Sequence, residues 1–361
     1  MTTHSRRALP PGSRIRVLVV DDSVVIRRLV THALEQDEHI EIAGSAANGV
    51  IALQRIPQVN PDVVTLDIEM PEMDGLETLR QIRKLHPHLY VIMFSTLTER
   101  GGAATMEALS LGANDYVTKA ANVGSLDRSM ASLRSDLIPK IKQFFDLGRD
   151  TRRAEVDVPA PKRPVLLPHR PRMARKVLAI GVSTGGPNAL AIVMPMFPKD
   201  FPLPILMVQH MPPLFTRLLA ERLNNQSGLR VEEAAEGSVV ETGKVLIAAG
   251  DYHLKVRRDG NKVRASLNQG TPENSCRPAV DVMFRSVAEL YGGSAIAVVL
   301  TGMGQDGMRG AETLRSLGAY IIAQDEQSSV VWGMPGAVVR AGLADAVVDL
   351  NSVVPEILKQ I

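Results

Sequence analysis

Short apolar runs alternate with helix-like segments along most of this 361-residue chain, in two series separated by a single break. Strand and helix in strict alternation imply an open parallel sheet with helices on both faces, and few other architectures accept such a pattern. In the first series, strand-like runs lie at 16–20, 40–45, 63–66, 90–94 and 116–117. Helix-like segments follow Ser23 to about residue 36, then cover 50–58, 75–85, 101–111 and 125 onward. The second series has strand-like runs at 177–180, 204–208, 244–248, 295–300 and 320–323, with helices over 213–224, 280–290 and 308–317. Runs at 253–257 and 263–267 flank Asp259-Gly260-Asn261-Lys262, which reads as a β-hairpin insert.

The break starts at Asp146. Pro159, Pro161, Pro164, Pro168 and Pro171 follow closely, mixed with arginine and lysine, so the stretch reads as a semi-extended tether. The expected domains are therefore 14–135 and 176–357, with a helix end and Pro/basic linker over 136–175. A net charge of +2 gives no overall bias toward nucleic acid. No uncharged stretch is long enough for a bilayer, and a single cysteine, Cys276, fits a reducing compartment. A cytoplasmic protein without membrane insertion is expected.

In such sheets, ligands bind beyond the carboxyl ends of the strands. In the first series Asp21 and Asp22 close the first strand, Asp67 closes the third, and Lys119 follows the fifth. Clustered carboxylates suit a hard cation such as Mg²⁺, a carboxylate beside it can accept a phosphoryl group, and a lysine can neutralise that group. Each aspartate alone is more often a cap or strand terminator; together at matching strand ends they argue for a site.

These residues resemble the response-regulator receiver domains, above all through Asp67-Ile68-Glu69-Met70-Pro71-Glu72-Met73-Asp74-Gly75. The resemblance implies a flavodoxin-like (βα)5 fold with Asp67 as phospho-acceptor. It implies Mg²⁺ held by Asp21, Asp22, Asp67 and the backbone carbonyl of Glu69. Ser95 and Lys119 would contact the phosphate, and Tyr116 would be the switch aromatic. Ala120 stands after Lys119, where receivers usually carry proline.

In the second series, Gly181-Val182-Ser183-Thr184-Gly185-Gly186-Pro187 joins an apolar run to a helix start. It has the form of a nucleophile elbow, G-x-S-x-G, and equally of a phosphate-cradling glycine loop. A nucleophilic serine needs a base and a group that orients the base. Of eight histidines only His210 and His253 lie in this domain, and His210 ends a strand as Ser183 does, whereas His253 opens the hairpin. Asp306 lies just beyond the strand at 295–300, in Thr301-Gly302-Met303-Gly304-Gln305-Asp306-Gly307. Ser183, His210 and Asp306 thus share one sheet edge, which tips the choice toward the elbow. Their order in the chain differs from the Ser, Asp, His order of α/β-hydrolases.

With Gln209-His210-Met211-Pro212, the run 277–284 and Val331-Trp332-Gly333-Met334-Pro335-Gly336, these motifs resemble the chemotaxis protein-glutamate methylesterases. That family fuses a receiver to a mainly parallel α/β serine-esterase domain. The resemblance implies Ser183 as nucleophile, His210 as general acid/base and Asp306 as its orienting group, with the Thr184 and Met303 amides as oxyanion hole. It implies demethylation of γ-glutamyl methyl esters on chemoreceptors, deamidation of glutamines, and no cofactor for the esterase chemistry. A chemotaxis histidine kinase would be the phosphodonor, and phosphorylation would relieve inhibition by the receiver. A receiver-controlled phosphate- or nucleotide-binding module is the non-catalytic alternative. A transcription regulator is disfavoured, since the C-terminal part lacks a helix-turn-helix and a basic face.

Overall fold

The structure, a computed structural model, describes residues 7–10, 12–119, 126–146 and 173–361. These form two compact units, one before residue 150 and one after it. Ala120 and the proline-rich tether lie outside the described residues.

The first unit starts with β1 (Arg7–Ala8) and then alternates. In order come β2 (Ile15–Val20), α1 (Val24–Glu35), β3 (Ile40–Ala46), α2 (Gly49–Val59) and β4 (Val63–Asp67). They are followed by α3 (Gly75–Leu85), β5 (Tyr90–Ser95), α4 (Glu99–Ser110), β6 (Asp115–Thr118), α5 (Leu126–Lys142) and β7 (Phe145–Asp146). Five parallel strands take the order β3-β2-β4-β5-β6, the flavodoxin-like winding. The central strands are buried on both faces, which is why they read as unbroken apolar runs. Polar caps start the helices: the side chains of Ser23, Asn48, Asp74 and Thr98 each accept an amide in the first turn of α1 to α4. Within the stretch expected to hold a helix end, α5 runs on to Lys142, and β7 pairs with β1.

The second unit comprises β8 (Val177–Val182), α6 (Gly186–Val193), β9 (Ile205–Gln209), α7 (Phe215–Gln226), β10 (Arg230–Glu233) and β11 (Lys244–Ile247). Then come β12 (His253–Asp259), β13 (Lys262–Asn268), α8 (Val280–Tyr291), β14 (Ala295–Val299), α9 (Met308–Ser316), β15 (Tyr320–Gln324), α10 (Met334–Arg340), β16 (Ala346–Val348) and α11 (Val353–Leu358). Seven parallel strands take the order β10-β11-β9-β8-β14-β15-β16. The hairpin forms its own antiparallel pair, β12 with β13, packed on α8. Both edge strands, β10 and β16, escape the sequence pattern: they are short, half-exposed, and β10 carries charge at three of its four positions. Among the described residues no helix is long and apolar enough to cross a membrane.

Candidate active site

Strands β9, β8 and β14 are consecutive neighbours in the middle of the seven-stranded sheet. The residues that follow them therefore emerge side by side. Ser183 follows β8, His210 follows β9, and Asp306 lies on the loop after β14. The His210 amide donates to the Val182 carbonyl at 3.2 Å and the Ser183 amide to Thr301 at 3.0 Å, which stitches the three strand ends together.

The Asp306 carboxylate is 2% exposed and fully engaged. His210 Nε2 lies 2.8 Å from Oδ2, which also accepts the Val280 amide at 2.7 Å. Oδ1 accepts the Asp281 and Gly307 amides, both at 3.0 Å, and Asn274 Nδ2 at 2.9 Å. Two of these amides open α8, whose N-terminal end favours an anion. Burial alone would push the Asp306 carboxyl up, but the His210 contact and these amides outweigh it and hold the carboxyl below its ordinary range. Burial likewise opposes charge on His210, yet the bond to Asp306, helped by Cys276, raises the imidazole above the ordinary histidine value. The other ring nitrogen, Nδ1, lies 3.5 Å from Cys276 Sγ. Among the described residues no hydrogen bond joins Ser183 Oγ to His210. The structure thus closes the His210–Asp306 contact but not one between the serine hydroxyl and the ring.

Two peptide planes next to Ser183 are set by their carbonyls. The Ser183 carbonyl accepts the Gly186 amide at 2.8 Å and Gln209 Nε2 at 3.0 Å. In a trans peptide the N–H points opposite to the C=O, so the Thr184 N–H is turned away from these donors. The Gly302 carbonyl accepts the Gly333 and Met334 amides at 3.0 and 2.8 Å, which turns the Met303 N–H in the same fashion. Gly302 also packs on the elbow: a Cβ there would lie 2.8 Å from Ser183 Cβ. A serine, a histidine–carboxylate pair and two oriented amides are the parts that acyl transfer requires.

His253 takes no part. It is buried, with Nδ1 accepting the Ala279 amide at 3.2 Å and Nε2 3.1 Å from the Thr271 carbonyl, so it braces the hairpin. The sequence reading missed the contacts of Gln209, Asn274, Cys276 and Asp281 with this site. Gln209 and Asp281 lie inside recognised motifs, but nothing in their spacing signals those contacts.

In the first unit, carboxylate oxygens of Asp21, Asp22 and Asp67 lie within 4.8 Å of one another at the ends of β2 and β4. Lys119 Nζ sits 3.0 Å from Asp21 Oδ2 and 2.7 Å from Asp67 Oδ2. Burial drives the Asp67 carboxyl up to about 6, with the Asp21 charge adding to it and Lys119 opposing. Burial works against the Lys119 charge, but the bonds to Asp67 and Asp21 raise its pKa overall. This all-oxygen donor set fits a hard divalent cation. Glu69 follows two residues after Asp67, with its side chain exposed and 3.9 Å from Arg100 Nε. The Ser95 hydroxyl is engaged on α4: it donates to the Gly101 carbonyl at 3.0 Å and accepts from Thr105 Oγ1 at 2.6 Å. Tyr116 is buried, with Lys140 Nζ 4.9 Å from its ring centre.

Comparisons with known proteins follow the same division. Residues 178–357 match the family described as CheB methylesterase, and residues 17–131 match the response regulator receiver domain. A protein-glutamate methylesterase/protein-glutamine glutaminase of Trichodesmium erythraeum is 48% identical over 96% of this chain and 99% of its own length. A protein of the same description from Nocardioides sp. is 50% identical over 97% of this chain and 96% of its own length. The crystal structure of the Thermotoga maritima CheB methylesterase catalytic domain aligns over its whole length, on 52% of this chain, with 43% identity and a TM-score of 0.51.

Proposed function

The chain belongs to the CheB methylesterase family, with a response-regulator receiver ahead of the catalytic domain, and we propose that Ser183, His210 and Asp306 carry its hydrolysis of γ-glutamyl methyl esters on chemoreceptors. The observation that carries the reading is the His210 Nε2–Asp306 Oδ2 contact of 2.8 Å, at the strand end next to Ser183. With Nε2 engaged, Nδ1 is the nitrogen that takes the serine proton. Ser183 Oγ attacks the ester carbonyl carbon as its proton passes to His210 Nδ1. The Thr184 and Met303 amides hold the developing oxyanion, each donor contributing about 3 kcal/mol. When the tetrahedral species collapses, the C–O bond to methoxide breaks, and His210 returns the proton so that methanol leaves. Water then attacks the acyl-serine, gives its proton to Nδ1, and the C–Oγ bond breaks to free glutamate and Ser183. On a glutamine the same steps release ammonia. None of these steps calls on a cofactor.

Phosphorylation at Asp67 regulates this activity. Asp21, Asp22, Asp67 and the Glu69 carbonyl would hold Mg²⁺, which when bound screens the charge of an incoming phosphoryl group. The family's phosphodonor is a chemotaxis histidine kinase. Lys119, already on Asp67, would follow the charge onto the phosphate. Ser95 would have to leave its α4 partners to reach it, and Tyr116 would respond to that move. Relief of inhibition from a 1:99 to a 99:1 ratio would need about 5.5 kcal/mol. One phosphate supplies part of this, so the resting protein retains some activity.

The test is methanol release from methylated receptor membranes, with and without a small phosphodonor. Ser183→Ala should abolish release, and a wild-type rate in that variant overturns the assignment. Residues 176–361 alone should exceed the unphosphorylated full chain; equal rates would remove the inhibitory role of the receiver.

A further inference from the structure

The Asp306 carboxylate has a buried neighbour of the same charge. Asp281, in the first turn of α8, is 1% exposed, and its Oδ1 accepts the Gly310 amide at 2.7 Å. One group joins the two acids: Asn274 Nδ2 lies 2.9 Å from Asp306 Oδ1 and 3.0 Å from Asp281 Oδ2.

The backbone under Asn274 is built to place that amide. Glu273 and Cys276 exchange amide–carbonyl bonds of 3.1 and 2.9 Å, closing a two-residue turn. Asn274 and Ser275 both have positive φ, 51° and 62°, as a type I′ turn demands. Asparagine enters this region more readily than most residues. Arg285, one helical turn along α8 from Asp281, forms an ion pair with Glu273 and ties the turn to the same helix. The turn also brings Cys276 to His210.

We propose that Asn274 is a positioning residue of the hydrolytic reaction, its carboxamide holding the Asp306 carboxylate ionised and aimed at His210 despite the buried Asp281 beside it. The inference rests on the Ser183–His210–Asp306 reading. An amide that donates to a carboxylate favours its charged form. Burial, with Asp306 nearby, pushes the Asp281 carboxyl up, so Asp281 has a standing tendency to take up a proton. Removing the shared donor raises the proton affinity of the whole cluster, and the form with neutral His210 and ionised Asp306 then appears only at higher pH. The other charged or titratable groups facing it are Glu273, Arg285 and Cys276, with His253 behind the turn.

The experiment is the pH profile of kcat and KM in full-length protein, measured by methanol release from methylated receptor membranes. Asn274→Gly keeps the turn accessible and removes the amide. It should lower kcat about tenfold or more, by analogy with the loss of partners that orient catalytic ligands. KM should stay near wild type and the acid limb should move to higher pH. Asn274→Asp, which swaps the donor for a charge, should be slower still. Ser275→Gly, in the same turn but without the contact, should match wild type. A wild-type profile in Asn274→Gly, an equal loss in Ser275→Gly, or a fall in rate with an unmoved acid limb would each overturn the proposal. Ser183→Ala measured alongside separates the two ideas. If it retains activity the parent reading fails, and if it is inactive while Asn274→Gly is normal only the role of Asn274 fails.

Discussion

His210 meets Asp306 through Nε2, at 2.8 Å, so the nitrogen left for chemistry is Nδ1. This reverses the usual template, in which Nδ1 faces the carboxylate and Nε2 the serine. His210 lies beyond β9 and Asp306 beyond β14, on either side of β8 and its serine.

Pairing with Asp306 outweighs burial and raises the His210 pKa, so the neutral base appears at higher pH than for an ordinary histidine. The acid limb of kcat should therefore lie above the usual 6.5. Asp306→Asn should lower the limb and reduce kcat by up to about 10⁴-fold, as in other triads. The same pairing stabilises the fold below 6.5, and that contribution is lost as pH rises through the folded value. Thermal melts of wild type and Asp306→Asn across this range provide the check; parallel curves would count against the pairing.

Cys276 occupies the side of His210 that the serine proton must reach, with Sγ 3.5 Å from Nδ1. Its contact helps to raise the imidazole. Cys276→Ala should therefore move the acid limb down. A limb lowered by about one pH unit leaves roughly tenfold more neutral base at any more acidic pH, so activity in mild acid should rise. An unchanged limb would mean that the thiol contact has no hold on the ring.

Gly186→Ala tests the elbow. A Cβ there would lie 1.9 Å from Gln209 Oε1. The Gln209 side chain is 2% exposed and anchored on the Ser183 carbonyl, so it cannot yield without releasing that peptide. Overpacking should cost about 1–3 kcal/mol of stability. Tilting the Ser183–Thr184 plane should lower kcat by about 10²-fold, the scale of losing one oxyanion donor. A stable variant with wild-type kcat would show that the plane does not depend on Gln209.

Asp67 is held at about 6 against an ordinary 3.8, chiefly by burial. Without a cation the folded state binds this proton more tightly than the unfolded chain. Stability is therefore favoured by acid and falls as pH rises through that window. Asp67→Asn should stabilise the metal-free protein at pH 7 by on the order of 2 kcal/mol, read as a higher melting temperature, and the gain should vanish below pH 4. Mg²⁺ should stabilise wild type more at pH 7 than at pH 5 and leave Asp67→Asn unmoved. A variant no more stable than wild type at pH 7 would rule out a burial penalty on Asp67.

Much of this was legible in the residues alone. Apolar runs such as 177–180 report strands buried on both faces, and their polar terminators mark the sheet edge. Ser183, His210, Asp306 and Asp67 could therefore be picked out as strand-end groups, because burial and strand ends are local properties of the chain. Which ring nitrogen His210 offers, which way Thr184 and Met303 turn their amides, and what surrounds Asp306 belong to the tertiary structure. Asn274 and Cys276 sit on a turn with no periodicity of its own, and they reach the site only because Arg285 ties that turn to α8 while α8 presents its first amides to Asp306. Local pattern determines which segments are buried. Contacts between side chains on separate loops exist only once packing has set the distances between their backbones.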